Sequence, residues 1–195
     1  MKRGVKPTKP TSGLIRIISG KWRGTKLPVT DVNGLRPTTD RNKETLFNWL
    51  MPYITDATCL DVFAGSGGLG FEALSRYAKS VLMFELDKKA YQQLQHNLQK
   101  LHVTSEQGNV IQGDALIYLA SLSEPFDIVF IDPPFHQNLV PRTIERLHQH
   151  KLIAQHGLIY IECELPNAGY VVPQSWHLLK QLQTSQVSAR LYQHA

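Results

Sequence analysis

Cysteine is scarce and acids are outnumbered. The 195 residues hold two Cys, and 16 Asp plus Glu stand against 21 Lys plus Arg. Both cysteines, Cys59 and Cys163, sit inside apolar strand-like runs. That excludes a disulfide scaffold and reads as a pair of reduced core thiols. No Cys/His set has zinc spacing. His148 and His150 lie two apart on an expected helix and face different ways, so no metal is expected. Long hydrophobic runs are missing as well. None approaches the roughly 20 residues that span a bilayer, so no membrane partner is expected. The opening MKRGVKPTKPTSG is basic but lacks the apolar stretch of a secretory signal. A cytoplasmic monomer is expected.

What is present is unevenly placed. Net charge is +5, yet residues 1–44 carry +8 and residues 45–195 carry −3. A basic front end ahead of a mildly acidic body suggests a polyanionic partner, because Lys and Arg displace counterions from phosphates. A solubilising tail would look the same on charge alone. Hydrophobic content of 42% suits one globular domain of ordinary size.

Residues 1–13 contain Gly4, Pro7, Pro10 and Gly13, show no periodicity, and read as a disordered basic arm. LIRIISGKWRGTKLPV alternates loosely and reads as a hairpin carrying Arg16, Lys21, Trp22, Arg23 and Lys26. A boundary falls near residues 28–37, giving a basic hairpin unit at 14–35 and a body at 36–195. RPTTDRNKETLFNWLMPY predicts a helix with Thr38, Thr39 or Asp40 as N-cap. Its inward face would be Leu46, Trp49, Leu50 and Tyr53, with Arg41, Glu44 and Asn48 opposite.

From residue 57 strands and helices alternate. ATCLDVF, SVLMFEL, NVIQGD, FDIVFID and GLIYIECE read as strands. The helices between them are GLGFEALSRYA, DKKAYQQLQHNLQKLH, ALIYLASL and LVPRTIERLHQHKLI, the last with Val140, Ile144 and Leu147 inward. That order predicts an α/β fold with a parallel sheet covered on both faces. WHLLKQLQT and VSARLYQH, joined by SQ, predict an antiparallel finish.

The chemistry gathers at strand ends. In LDVFAGSGGLG, Gly65, Gly67 and Gly70 fit G-x-G-x-x-G, where a backbone without Cβ can approach a ligand. Glu85 ends the next strand, placed to accept ribose hydroxyls, so a nicotinamide dinucleotide is a rival ligand. Asp61 argues otherwise. A carboxylate beside the turn is awkward for a diphosphate and suits a ligand with an ammonium. Asp114 can accept from an adenine amine, and can also cap the helix that starts at Ala115. FDIVFIDPPF then closes a buried strand with Asp132, Pro133, Pro134 and Phe135. The prolines end the strand and fix its exit, while their carbonyls still accept. With Phe135 as a flat face, the corner reads as a preorganised clamp for a planar amine. Carbon-5 pyrimidine chemistry would need a cysteine nucleophile. Cys163 is the candidate, and a core role suits it better.

DVFAGSGGLG, FELD, GDA and DPPF resemble the successive motifs of class I S-adenosylmethionine-dependent methyltransferases that act on exocyclic amines. RIISGKWRGTKLP, LRPTTDRNKETLFNWL and CLDVFAGSGGLGFEALSR resemble the RsmD family of 16S rRNA guanine-N2 methyltransferases. The likeness runs from about Arg16 to Tyr192 and loosens after Glu164. DPPF alone is shared with adenine-N6 and glutamine-N5 methyltransferases; RPTTDR is the stronger discriminator.

The resemblance implies a Rossmann-like class I methyltransferase fold: seven strands, mostly parallel, with an antiparallel C-terminal hairpin and a small N-terminal one. It implies S-adenosyl-L-methionine as cofactor. The acceptor it implies is N2 of guanine 966 in 16S rRNA, as naked RNA or in an assembling small ribosomal subunit. Asp61, Gly65, Ser66 and Gly67 would hold the methionine end, Glu85 the ribose, Leu86 the adenine face and Asp114 its amine. Ala64 and Ala115 would complete the cofactor set. Asp132 and Pro133, with Pro134, would hold the target nitrogen, and Phe135 would stack on the guanine. Arg36, Thr38 and Arg41 would line the opening, and the hairpin around Trp22 would grip rRNA. Lys43 stands where the family often has a second arginine, and would keep a phosphate contact without the bidentate fork.

Overall fold

Short apolar runs become strands here because each is followed by a turn and an amphipathic helix that covers it. A computed structural model describes residues 13–30 and 40–195. The expected arm, the N-cap candidates Thr38 and Thr39, and Arg36 lie outside the described residues. A hairpin comes first, β1 (Gly13–Arg16) and β2 (Lys26–Val29), then α1 (Asp40–Leu50). The body runs β3 (Thr58–Asp61), α2 (Gly68–Ser75), β4 (Ser80–Glu85), α3 (Lys88–Lys100) and β5 (Gly108–Gln112). It continues α4 (Ala115–Tyr118), β6 (Phe126–Ile131), α5 (Val140–Gln149), β7 (Ile153–Glu164), β8 (Trp176–Gln183) and β9 (Val187–His194). No helix among the described residues is long and apolar enough to cross a membrane.

The large sheet has the order β5-β4-β3-β6-β7-β9-β8. β9 runs antiparallel to both β7 and β8, and the other pairs are parallel. This is the α/β sheet with an antiparallel finish that the sequence predicts. Chain order reverses between β3 and β6, so their carboxyl ends open a crevice. Two apolar clusters cover the two faces. Phe47, Phe71, Met83, Phe130 and Tyr160 belong to one. Leu60, Val129, Ile131, Ile144 and Ile161 belong to the other.

Several boundaries differ from expectation. α1 stops at Leu50, so Tyr53 is 48% exposed, and Phe47, fully buried, takes the inward place. Phe47 meets Phe130 at 6.0 Å between ring centroids. α5 ends at Gln149 because Lys151 turns left-handed at φ 52° while the Leu152 N–H closes on the Leu147 carbonyl. Leu152 and Ile153 then serve the sheet core. β5 ends at Gln112, and Asp114 instead caps α4 by accepting from the Leu116 N–H at 2.9 Å.

The hairpin is its own two-stranded sheet, yet Ile15, Ile17, Leu27 and Val29 join the core of the body. Polar docking explains how it is held. Glu72 of α2, 1% exposed, accepts from the Ile18 N–H at 2.8 Å and the Ser19 N–H at 3.0 Å. Arg76 Nε also donates to it at 2.8 Å, and Lys43 Nζ lies 3.7 Å away. Lys43 is 3% exposed and donates to the Arg16 carbonyl at 2.6 Å. The phosphate contact implied for Lys43 is therefore corrected: the ammonium is spent inside the protein, on the hairpin and Glu72.

Gly20 makes the closest approach. At φ 80° it lets the Lys21 N–H reach the Ser75 carbonyl at 2.7 Å, and a Cβ there would sit 1.8 Å from that same oxygen. Gly20→Ala should cost about 2 kcal/mol or more, from strain plus overlap. A thermal melt with no fall in Tm would contradict this docking.

Candidate active site

Parallel strands that share a register deliver their last residues to one rim. Asp61 pairs with Met83 and Phe130, and Glu85 with Gln112. The residues that end β3, β4, β5 and β6 therefore line one cavity of about 560 Å³. That volume suits a nucleoside-sized ligand. Asp61, Ala64, Gly65, Ser66, Glu85, Leu86, Asp114 and Ala115 are on its wall. So are Asp132, Pro133, Pro134 and Phe135.

The glycine turn has a clear division of labour. Gly65 and Gly67 are left-handed, at φ 53° and 80°. Gly65 is on the wall and Gly67 is not. A Cβ on Gly67 would lie 2.4 Å from the Phe71 ring, and one on Gly70 would lie 2.8 Å from Met83 Sδ. These two glycines let the turn and α2 pack closely; Gly65 presents backbone to the cavity.

Asp61 is 1% exposed. Its Oδ2 accepts from the Gly70 N–H at 3.1 Å, while Oδ1 has no partner among the described residues. Burial, reinforced by the charge of Glu85, pushes the carboxyl up to about 7 against the pull of the Gly70 and Phe63 N–H groups. An acid raised this way holds its proton longer when folded than when unfolded. Its stabilising contribution is complete below about pH 4 and is lost as pH rises to about 7. Asp61→Asn should therefore gain about 2 kcal/mol more over the wild type at pH 8 than at pH 5, roughly 4–8 °C in Tm. Equal shifts at both pH values would contradict the buried titration.

Glu85 is fixed by two backbone donors, Gly65 N–H and Asp87 N–H, each at 2.7 Å. Desolvation still raises its carboxyl. Each oxygen keeps a lone-pair direction for a ligand hydroxyl. Leu86 beside it is 69% exposed, an apolar face on the cavity wall.

The Asp132–Phe135 corner is braced from β7. Glu164 accepts from the His136 N–H and from Asn167 Nδ2. His136 and Asn138 take left-handed backbone at φ 66° and 47°. The loop thus doubles back so that Phe135, Gln137 and Leu139 all reach the wall. Pro133 is buried and Pro134 exposed.

Those expected RNA-contacting residues that are described lie off this wall. Arg16, Lys21, Arg23 and Lys26 are exposed on the hairpin and none lines the cavity. Lys21 Nζ sits 5.0 Å over the half-buried ring of Trp22. Arg41 is exposed on α1 and off the wall, whereas Asn42 beside it is on the wall. Arg36 and Thr38 lie outside the described residues. Cys163 is 3% exposed and burial pushes its thiol up to about 11, which suits a core residue and not a nucleophile.

Sequence reading missed Glu162, next to that cysteine and also on the wall. The available signal was the strand-end acid in IECE.

Residues 15–193 match the family described as conserved hypothetical protein 95. The chain belongs to this family, the RsmD family. One RsmD relative is the ribosomal RNA small subunit methyltransferase D of Haemophilus influenzae. It is 52% identical over 189 residues, covering 96% of this chain and 97% of that protein. The solved structure of yhhF from Escherichia coli is 50% identical with a TM-score of 0.86, covering 93% of this chain and 98% of that one. At 15% identity SMU.776, solved with SAH, superposes with a TM-score of 0.65 over 97% of this chain and 57% of its own. That likeness is one of fold. The seven-stranded sheet, parallel but for its C-terminal finish, is the Rossmann-like one expected.

Proposed function

We propose that the protein transfers the methyl of S-adenosylmethionine to the exocyclic N2 of guanine 966 in 16S rRNA, within an assembling small subunit. One observation carries this reading: acids at or just past the ends of four adjacent strands share a cavity wall with the glycine turn and the Asp132–Phe135 corner. The small-subunit rRNA methyltransferase name of the Haemophilus relative supports the substrate class.

The residues fit the cofactor. The unpartnered Asp61 Oδ1 suits an ammonium, Glu85 suits ribose hydroxyls, and exposed Leu86 suits a purine face. Asp114 spends one oxygen on the cap of α4, and its carboxylate can also take an adenine amine. When bound, the cofactor supplies an electrophilic sulfonium methyl, so no protein nucleophile is required. An ammonium favours ionised Asp61, so affinity should rise as pH passes about 7.

The chain's own work is on the amine. The lone pair of a guanine amine is delocalised, and attack requires the nitrogen to turn tetrahedral. The Asp132 carboxylate and the Pro133 carbonyl accept its N–H bonds in the directions they take during that change. The bracing of the loop by Glu164 keeps those acceptors in place. The nitrogen loses its proton only after alkylation, so Asp132 need not be a strong base. Phe135 stacks on the base, which must leave any helix to enter. The exposed cations of the hairpin hold neighbouring phosphates, with salt-dependent affinity.

The test uses small subunits from a strain lacking the modification, purified protein and methyl-labelled cofactor. Nucleoside mass spectrometry should find labelled N2-methylguanosine at one site. Labelled N6-methyladenosine, or no label, would contradict the reading.

A further inference from the structure

The hairpin cations and the cavity occupy different parts of the molecule, and α3 joins them. Its first residue, Lys88, is on the cavity wall. From there the helix runs about 18 Å to Lys100. Lys100 Nζ donates to the Lys26 carbonyl of β2 at 3.5 Å, and buried Asn97 donates to the Pro28 carbonyl at 3.0 Å. Thr30 Oγ1 donates to the Lys89 carbonyl at 3.5 Å, so β2 is docked along the length of the helix. The buried face of α3 is Ala90, Leu94, Asn97 and Leu98. Every exposed position on it is Lys, Gln or His. Lys89, Gln92, His96 and Lys100 recur at three- and four-residue steps and so share one stripe. No acid stands on α3. The acid before it, Asp87, serves as N-cap, accepting from the Lys89 N–H at 2.8 Å and the Ala90 N–H at 2.9 Å.

The stripe continues onto the hairpin at a cost. Arg16 is directly opposite Lys26 in the β1–β2 register, and both are exposed. Like charges in that position repel. Among the described residues, the basic side chains that meet a carboxylate are Lys43, Arg76 and His136. Lys88, Lys89, Lys100, Lys26 and Arg16 are not among them. α5 covers the other face of the sheet and differs: there Glu145 separates Arg142 from Arg146 in sequence. A row of uncompensated cations interleaved with amide donors suits a chain of phosphates, which relieves the repulsion and gives up its counterions. We infer that the exposed face of α3 is an RNA track. It carries the strand that flanks the target base from the cavity mouth to the hairpin. The inference rests on the proposed function and adds a binding element to it: the hairpin cations lie off the cavity, and α3 supplies the path between them.

The test measures equilibrium binding to small subunits that lack the modification, with S-adenosylhomocysteine present and salt varied. Lys89→Ala/Lys100→Ala should weaken binding by about tenfold at about 0.1 M salt and flatten the slope of log affinity against log salt by about 1.4–1.8, the share of two cations. In turnover the loss should fall on KM. Lys89→Arg/Lys100→Arg keeps both charges and should bind within about threefold of the wild type. So should Arg142→Ala/Arg146→Ala on α5. An α3 alanine pair that binds like the wild type with the same salt slope would overturn the track. Equal losses in the α3 and α5 pairs would do so too, since they would mean general attraction to a polyanion. A loss with an unchanged slope would also overturn it, because α3 would then meet a protein of the subunit and not phosphate. Methyl transfer by the wild type to the same subunits is followed alongside. Its failure would strike the parent reading, whereas a wild type that methylates while its α3 charges make no difference would strike this one alone.

Discussion

Asp132→Ala is expected to lower kcat by about 10³-fold while the affinity for S-adenosylhomocysteine stays within about threefold. The acceptors at this corner act on the amine as its geometry changes, and contacts made mainly in the transition state appear in turnover. Removing one such preorganised group typically costs 10²–10³-fold. The cofactor's proposed partners are on other strands, Asp61, Glu85 and Asp114 on or after β3, β4 and β5. Asp132→Asn should fall less, because its amide oxygen still accepts. Stopped-flow turnover and calorimetric binding separate the two effects. Parallel loss of binding and turnover would mean that Asp132 belongs to the cofactor pocket and not to the clamp.

The second large effect is on stability. Glu72→Ala should cost about 3–5 kcal/mol. It strands two backbone N–H groups of the hairpin and removes the carboxylate that Lys43 and Arg76 share. Against a usual total of about 5–15 kcal/mol, that is a large share. Urea unfolding gives the number. The hairpin should also become the first segment to lose hydrogen-exchange protection, since its link to α2 runs through Glu72, Ser75 and Gly20. A loss below about 1 kcal/mol would mean that the apolar face of the hairpin holds it alone.

Much of the rim was legible in the sequence because its logic is periodic. Asp61, Glu85, Asp114 and Asp132 each follow an apolar run, and parallel strands bring such positions together whatever the strand order. The Asp132–Phe135 corner was legible because two prolines restrict the backbone before any tertiary contact forms. Glu162 was not, because its neighbour Asp132 lies 30 positions away and only the β6–β7 register joins them. Glu72 was hidden for the opposite reason. In a helix an acid reads as a solvent face, and every residue from Leu69 to Ser75 turns out to be buried. Lys43 was misread with it, since a surface cation and a buried partner of Glu72 look alike in a linear string. Tyr53 was misplaced because α1 ends at Leu50, three positions before the periodic face would have carried it inward.

A crystal structure with S-adenosylhomocysteine bound is the most direct test. The ribose hydroxyls should sit on Glu85, the amino group near Asp61, and the sulfur should point at the Asp132–Pro133 corner with room for a planar base against Phe135. A ligand whose sulfur faces away from that corner, or whose ribose lies off Glu85, would contradict the account.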